Sequence, residues 1–305
     1  MSSDIITEIK ELTKSKKCKI LAHNYQPPEI QALADIRGDS LQLAQAAVNL
    51  DCEIILLAGV TFMAETASIL NPEKKVIVPT LHATCPLANY LSTTEIKEAR
   101  KQYPDAAVAV YINTLAETKA EADICVTSSN AEKIIAKLDE RIILFGPDRN
   151  LAAFVQKKVT NKRIIALPEK GHCYVHRKFV VNDVKAARKR YPNATMLVHP
   201  EVDPSIQDLA DQILSTGKMV RFTKTSEEQE FIIGTEIGLI DQLRSELPHK
   251  IFYPLRNDAV CIQMKKNTIY NLYSALKNEI NIVIVPEDIA ERARRSIKRM
   301  LELSK

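Results

Sequence analysis

The chain has 305 residues, 46% of them apolar, enough to bury a sizeable core, and a formal net charge of +4 with Lys and Arg spread along its length. That charge suits small anionic ligands better than a nucleic-acid track, and no apolar stretch approaches the roughly 20 residues of a membrane span. Met1 to Lys17 lacks the apolar run of a signal peptide and the six cysteines follow no secreted disulfide pattern, so a soluble, cytoplasmic protein with free thiols is expected.

In chain order, an amphipathic helix over 4–14 precedes a strand over 18–22 that leads into His23 and Tyr25. A short apolar segment around Ala34-Asp35 then reaches Ser40, placed as the N-cap of a helix over 41–48. A strand over 53–57, a helix over 62–70 and a last strand over 75–78 run toward Cys85. The order returns twice. Helices over 95–101 and 183–190 each stop before a Tyr-Pro turn and precede strands over 107–110 and 195–198. Ser128 and Thr216 take the N-cap place; strands over 141–145 and 230–233, helices over 150–157 and 238–246, and strands over 163–166 and 250–253 follow, toward Cys173 and Cys261. Beyond them, 264–277 reads as a helix, 281–285 as a strand and 287–303 as a basic amphipathic helix with a solvated charged face.

Residues recur with the elements. At a constant offset of 88, Ala34-Asp35 returns as Ala122-Asp123 and Ala210-Asp211, Ser40 as Ser128 and Thr216, and Cys85 as Cys173 and Cys261. The same shift lays His23-Asn24-Tyr25 on Tyr111-Ile112-Asn113 and on His199-Pro200-Glu201. Such a period marks repeated structural units. Three pseudo-equivalent domains are expected over 4–91, 92–179 and 180–263, with 264–305 as a helical tail packing on the first. Strands alternating with helices make each an α/β unit, a three-layer αβα domain with a parallel sheet, the three set around a pseudo-three-fold axis. Ligands bind outside the carboxyl ends of parallel strands, where the recurring polar residues lie, so one shared site follows.

Cys18, Cys52 and Cys125 have no cysteine at their equivalent positions and read as ordinary residues. The equivalence of Cys85, Cys173 and Cys261 favours metal or cluster ligation over core packing. Structural zinc would want a fourth protein ligand and paired C-x2-C spacing, which are absent. A 4Fe–4S cluster on three thiolates leaves one iron open to substrate, as a Lewis acid that assists loss of water.

His23-Asn24-Tyr25-Gln26, Gly38-Asp39-Ser40, Phe62-Met63-Ala64-Glu65-Thr66-Ala67, Ala83-Thr84-Cys85, Gly171-His172-Cys173-Tyr174-Val175-His176 and His199-Pro200-Glu201 together resemble the quinolinate synthase family over nearly the whole chain, in its three-domain archaeal and thermophilic form. The resemblance implies condensation of iminoaspartate (iminosuccinate) with dihydroxyacetone phosphate, losing phosphate and two waters, to give quinolinate for NAD biosynthesis. It implies an oxygen-sensitive 4Fe–4S cluster on Cys85, Cys173 and Cys261. It implies substrate contacts from His23, Ser40, Tyr111, Asn113, Ser128, His199, Glu201 and Thr216, to which Ser215 and His176 are added, and a catalytic Tyr25.

Within that set, Ser40, Ser128 and Thr216 offer hydroxyls beside helix N-termini, which attract the phosphate and carboxylates of both substrates. His23 and His199 suit anion binding and His199 also proton transfer. Glu201 is the general-base candidate, and Tyr25 relays protons or polarises the triose carbonyl. His176 either touches substrate or supports the cluster loop. Asp39 and Glu65 are supporting candidates, while His82, His172 and His249 lack repeat support and read as structural. Small-molecule partners are expected, without nucleic acid or membrane, and with a transient contact to an iminoaspartate-producing enzyme. Two alternatives stand beside this reading: a different 4Fe–4S hydro-lyase acting on another dicarboxylate, and an iron or redox sensor without turnover.

Overall fold

A computed structural model of the chain describes residues 2–305, and across them one eight-element order occurs three times. The first unit runs α1 (Ser2–Ser15), β1 (Cys18–His23), α2 (Pro28–Gln31), β2 (Ile36–Gly38), α3 (Ser40–Val48), β3 (Ile54–Ala58), α4 (Thr61–Leu70) and β4 (Lys75–Ile77). The second runs α5 (Thr93–Gln102), β5 (Ala107–Tyr111), α6 (Ala116–Ala120), β6 (Ile124–Val126), α7 (Ala131–Lys137), β7 (Ile142–Gly146), α8 (Arg149–Lys158) and β8 (Arg163–Ala166). The third runs α9 (Val181–Arg190), β9 (Thr195–Val198), α10 (Pro204–Gln207), β10 (Gln212–Ile213), α11 (Thr216–Thr225), β11 (Glu230–Gly234), α12 (Gly238–Glu246) and β12 (Ile251–Pro254).

Among the described residues the strands form three four-stranded sheets ordered β2-β1-β3-β4, β6-β5-β7-β8 and β10-β9-β11-β12. Every strand pair within them is parallel. Register follows the sequence period: Leu21 pairs Leu57, Ala109 pairs Phe145 and Leu197 pairs Ile233. Both faces of each sheet are covered, which is why β3 and β7 read as continuous apolar runs instead of alternating. In the third sheet Leu197, Phe231 and Ile233 pack with Met219, Leu239 and Leu243 of α11 and α12. Met196, Val198 and Ile232 face the other way, onto Val184 and Ala187 of α9 and Ile206 of α10. The alternation has the period of two that a pleated strand imposes.

The strands β2, β6 and β10 have three, three and two residues, too short to show alternation in sequence. The recurring aspartates explain them. Asp35 accepts the Ile20 N–H at 2.9 Å, Asp123 the Val108 N–H at 2.7 Å and Asp211 the Met196 N–H at 2.7 Å. Each aspartate also donates its own N–H to the carbonyl of that same residue, so the chain is stapled to the central strand immediately before its short neighbour begins. The Ala-Asp repeat is thus a sheet-building device.

The tail departs from expectation at two points. The helix expected over 264–277 is split into a 3-10 turn, Met264–Lys266, and α13 (Ile269–Asn278). Thr268 and Asn271 form a reciprocal capping box that starts a new helix there. The segment 281–285 makes one antiparallel bridge, Ile282 to Ile77, and no strand. Left-handed backbone at Glu279 and Asn281 turns the chain sharply between α13 and that bridge. α13 packs on α1, whereas α14 (Glu287–Leu303) lies mainly against α6 and β6 of the second unit. There Ser296 Oγ donates to the Lys119 carbonyl at 2.8 Å, while Arg294 reaches back to the Ile69 carbonyl of the first unit at 2.7 Å. No helix among the described residues is long and apolar enough to cross a membrane.

Candidate active site

His23 closes β1, Tyr111 closes β5 and His199 directly follows β9, so each central strand delivers a polar side chain at its carboxyl end. All three line one cavity, with Tyr25, Ser40, Asn113, Ser128, His176, Glu201, Thr216 and the cysteines Cys85, Cys173 and Cys261. Three separate sheets therefore supply one site. Ser215 and the supporting candidate Glu65, whose carboxylate accepts the Ala116 N–H at 2.9 Å, do not line it.

Each cysteine opens a 3-10 turn, Pro86–Asn89 or, three residues on, His176–Lys178 and Met264–Lys266. Each sulfur accepts the backbone N–H of the residue three positions later: Ala88, His176 and Met264. All three thiols are free. Burial pushes the Cys85 thiol up to about 12, Cys173 well above its ordinary range and Cys261 upward. As bare groups they stay protonated at neutral pH, and a bound cation would offset the cost of burying them as thiolates.

Glu201 is the hub of the polar wall. Its Oε1 accepts the Tyr111 hydroxyl at 2.6 Å and its Oε2 meets His176 Nδ1 at 2.8 Å. His176 Nε2 lies 2.9 Å from Thr235 Oγ1, which lies 2.6 Å from the Tyr25 hydroxyl. With Nδ1 donating to Glu201 and Nε2 accepting from Thr235, these contacts form a continuous path from Tyr25 through Thr235 and His176 to Glu201. Burial pushes the Glu201 carboxyl up, but the neighbouring His199 and His176 and the bonds donated by His176 and Tyr111 outweigh it and hold the group below the usual carboxylate range. Ser128 bonds the Tyr111 hydroxyl from the other side. The buried Oδ1 of Asn113 has no protein partner, which leaves an acceptor open on the cavity wall.

The ligand atoms of Cys173, His176 and Glu201 lie within 4.8 Å of one another, a grouping one cation could share. Both His176 nitrogens and both Glu201 oxygens already hold hydrogen bonds, however, and the thiols of Cys85, Cys173 and Cys261 on the same cavity are the other groups that could hold a metal.

The helix caps are not where the sequence pattern put them. Asp39, not Ser40, caps α3 by accepting the Gln42 N–H, and Ser215, not Thr216, caps α11 by accepting the Lys218 N–H. In the second unit Asn130 holds the cap position of α7, and Ser128 lies in the turn before it. In the first and third units the preceding residue takes the capping role, in the second Asn130 sits at the cap position without a side-chain cap bond, and Ser40, Ser128 and Thr216 line the cavity. Ser215 also bonds Asp39 at 3.3 Å, joining the starts of α3 and α11 behind the wall. Thr235 and Tyr174, whose hydroxyl meets Cys261 Sγ at 3.5 Å, have no signal in the 88-residue period: the equivalents of Thr235 are Gly59 and Pro147.

His23 and His199 are neutral. Burial pulls both down from the ordinary 6.5 to about 3. Their Nδ1 atoms accept the Tyr25 and Glu201 N–H groups at 3.1 and 3.3 Å, so both present Nε2–H as a donor. Below pH 6.5 the unfolded chain binds protons that the folded one refuses, so stability falls with pH in that range and is unaffected above it. We expect the apoprotein to lose about 1.4 kcal/mol per pH unit for each histidine between pH 6.5 and 5. Thermal midpoints measured in that window should flatten in the His23→Gln/His199→Gln double variant; an unchanged slope sinks the assignment.

Known proteins match this chain over nearly its whole length. The family described as Quinolinate synthetase A protein matches residues 7–302. The quinolinate synthase of Thermococcus onnurineus is 52% identical, covering 99% of this chain and 99% of its own length. That of Methanothermobacter thermautotrophicus is 50% identical over the full length of both chains, and that of Thermotoga sp. 48% identical over 98% of this chain and 99% of its own. Among solved structures, the E-1-hydroxy-2-methyl-but-2-enyl-4-diphosphate reductase from Plasmodium falciparum aligns over 87% of this chain and 81% of its own with 17% identity, at a TM-score of 0.30 that is too low to bear on the fold. By family match and by full-length identity, the chain belongs to the quinolinate synthetase A family.

Proposed function

We propose that this chain is a cytoplasmic quinolinate synthase of NAD biosynthesis, condensing iminoaspartate with dihydroxyacetone phosphate. The observation that carries it is the convergence of three repeat-equivalent thiols and the Glu201-centred hydrogen-bond chain on one cavity, in a protein 52% identical to a named quinolinate synthase. Phosphate and two waters account for every atom not found in quinolinate, so the overall reaction needs no external oxidant. The units are assigned as 4–91, 92–179 and 180–263 with a tail over 264–305, disposed about a pseudo-three-fold axis through the cavity. An iminoaspartate-producing enzyme is assigned as a transient partner.

Cys85, Cys173 and Cys261 would hold a 4Fe–4S cluster, which when bound supplies an iron with an open position, a Lewis acid for a substrate oxygen. The protein does the rest. Ser40 and Thr216, in the first turns of α3 and α11, present their hydroxyls to the cavity, where they can donate to phosphate and carboxylate oxygens. His23 and His199 donate from Nε2 to anionic oxygens, and Asn113, Ser128 and Tyr111 orient the substrate from the second unit. His176 has both nitrogens engaged and serves as a link in the proton path. Glu201 takes up a proton beside the imine or carbonyl; a bound anion raises its proton affinity, so it becomes a competent base when substrate arrives. Tyr25 exchanges protons with it through Thr235 and His176. Ser215 supports Thr216 from behind the wall.

Protein purified without oxygen should carry about four irons and four sulfides per chain and form quinolinate from the two substrates. A cluster-bearing protein that instead dehydrates another dicarboxylate, or one with no turnover on any, would replace this reading with the hydro-lyase or the sensor. Zinc, or no metal, would overturn the cluster.

A further inference from the structure

In all three units the loop that carries the cysteine is tied to the start of a helix by one backbone bond. Thr61 N–H donates to the Ala83 carbonyl, Arg149 N–H to Gly171 and Ile237 N–H to Ala259, each at 2.9 Å. The residue immediately before each donor breaks the symmetry. It is Val60 in the first unit, Asp148 in the second and Glu236 in the third, positions that share the 88-residue period. Asp148 Oδ2 accepts the Cys173 N–H at 3.2 Å and Glu236 Oε1 accepts the Cys261 N–H at 3.0 Å. Both carboxylates are wholly buried and each uses its second oxygen locally, on the Leu151 N–H at 2.8 Å and the Gly238 N–H at 2.7 Å. Val60 has no acceptor to offer. The first loop is held instead from another unit, by Gln263 Oε1 on the Thr84 N–H at 3.3 Å.

We propose that Asp148 and Glu236 are positioning residues of the metal centre. They clamp the backbone of the Cys173 and Cys261 loops, and the Cys85 loop, which has no such clamp, is the least firmly held of the three. A ligand amide bonded to a buried acceptor cannot swing the thiolate away without leaving that acceptor unsatisfied, a penalty the first loop escapes. The proposal rests on the three thiols being metal ligands.

The test measures iron release to a chelator, without oxygen, from the loaded parent and from Asp148→Ser, Glu236→Ala, Glu236→Gln and Val60→Ala. In Asp148→Ser the introduced hydroxyl can still cap α8 through the Leu151 N–H but cannot also reach Cys173, so the variant separates folding from clamping. Release is expected to be about 10- to 100-fold faster in Asp148→Ser and Glu236→Ala. Glu236→Gln, whose amide oxygen can keep the Cys261 bond, and Val60→Ala should stay near the parent rate. Amide hydrogen exchange in the metal-free parent needs no variant to fold: the Cys173 and Cys261 amides should exchange more slowly than the Cys85 amide. Unchanged iron release in folded variants, or a Cys85 amide as protected as the other two, overturns the proposal alone. A parent that holds no iron overturns it together with the cluster.

Discussion

Replacing Cys85, Cys173 or Cys261 with serine, one at a time, is expected to leave a folded chain that binds no iron cluster and forms no quinolinate. A serine hydroxyl does not ionise near neutral pH and is a poor soft-metal donor, and each loop brings just one sulfur to the cavity, so no neighbouring thiol can substitute. Cys125→Ser is the control. Its sulfur is buried within β6, 3.3 Å from Ser296 Oγ under α14. A serine there keeps the hydrogen bond and costs about 1 kcal/mol of stability without touching the metal. Iron and sulfide per chain, with far-UV circular dichroism as the check on folding, decide the matter. Loss of iron from Cys125→Ser, with retention in any of the other three, would mean that the cavity thiols have been misassigned.

Glu201→Gln should keep the iron and lose about 10²- to 10⁴-fold in turnover. The amide preserves size, but it has one acceptor oxygen where the carboxylate has two, so it cannot hold both Tyr111 and His176 and cannot take up a proton. Tyr25→Phe removes the far end of the same path and should cost a comparable amount. Thr235→Val removes the link between Tyr25 and His176, leaves both ends in place and should cost less, with water able to bridge part of the gap. Single-turnover rates on iron-replete protein test the series. If Glu201→Gln loses iron along with activity, Glu201 belongs to the scaffold of the metal centre, and a Thr235→Val enzyme as slow as Tyr25→Phe would make the hydroxyl itself indispensable to proton transfer.

Much of the architecture is legible in one dimension because the chain states it three times. A residue that recurs at the same offset is under the same local geometry each time, so subtraction finds the strand-end residues His23, Tyr111 and His199 and the loop residues Cys85, Cys173 and Cys261 without any structure. The same method leaves the role of one feature open and misses others. Asp35, Asp123 and Asp211 recur as strictly as the cysteines, yet they staple short strands to the central ones and face no ligand. Period alone does not distinguish a repeated scaffold from a repeated site.

Caps were displaced because a helix start is decided by which nearby acceptor reaches the N3 N–H, and Asp39 and Ser215 reach it before Ser40 and Thr216 can. Thr235, Tyr174, Asp148 and Glu236 escaped notice for the opposite reason: their roles depend on what lies across the cavity or on an acceptor that one unit lacks. The amino-acid sequence by itself determined three parallel-sheet units, the residues at their strand ends and the three cysteines, since those follow from local periodicity and its repetition. Tertiary structure alone decided that Glu201 of the third unit meets Tyr111 and His176 of the second, that Thr235 joins them to Tyr25 of the first, and that two of three cysteine loops are clamped. Those contacts join residues far apart in the chain, and their partners are set by how the packed units face one another, a relation no local pattern encodes.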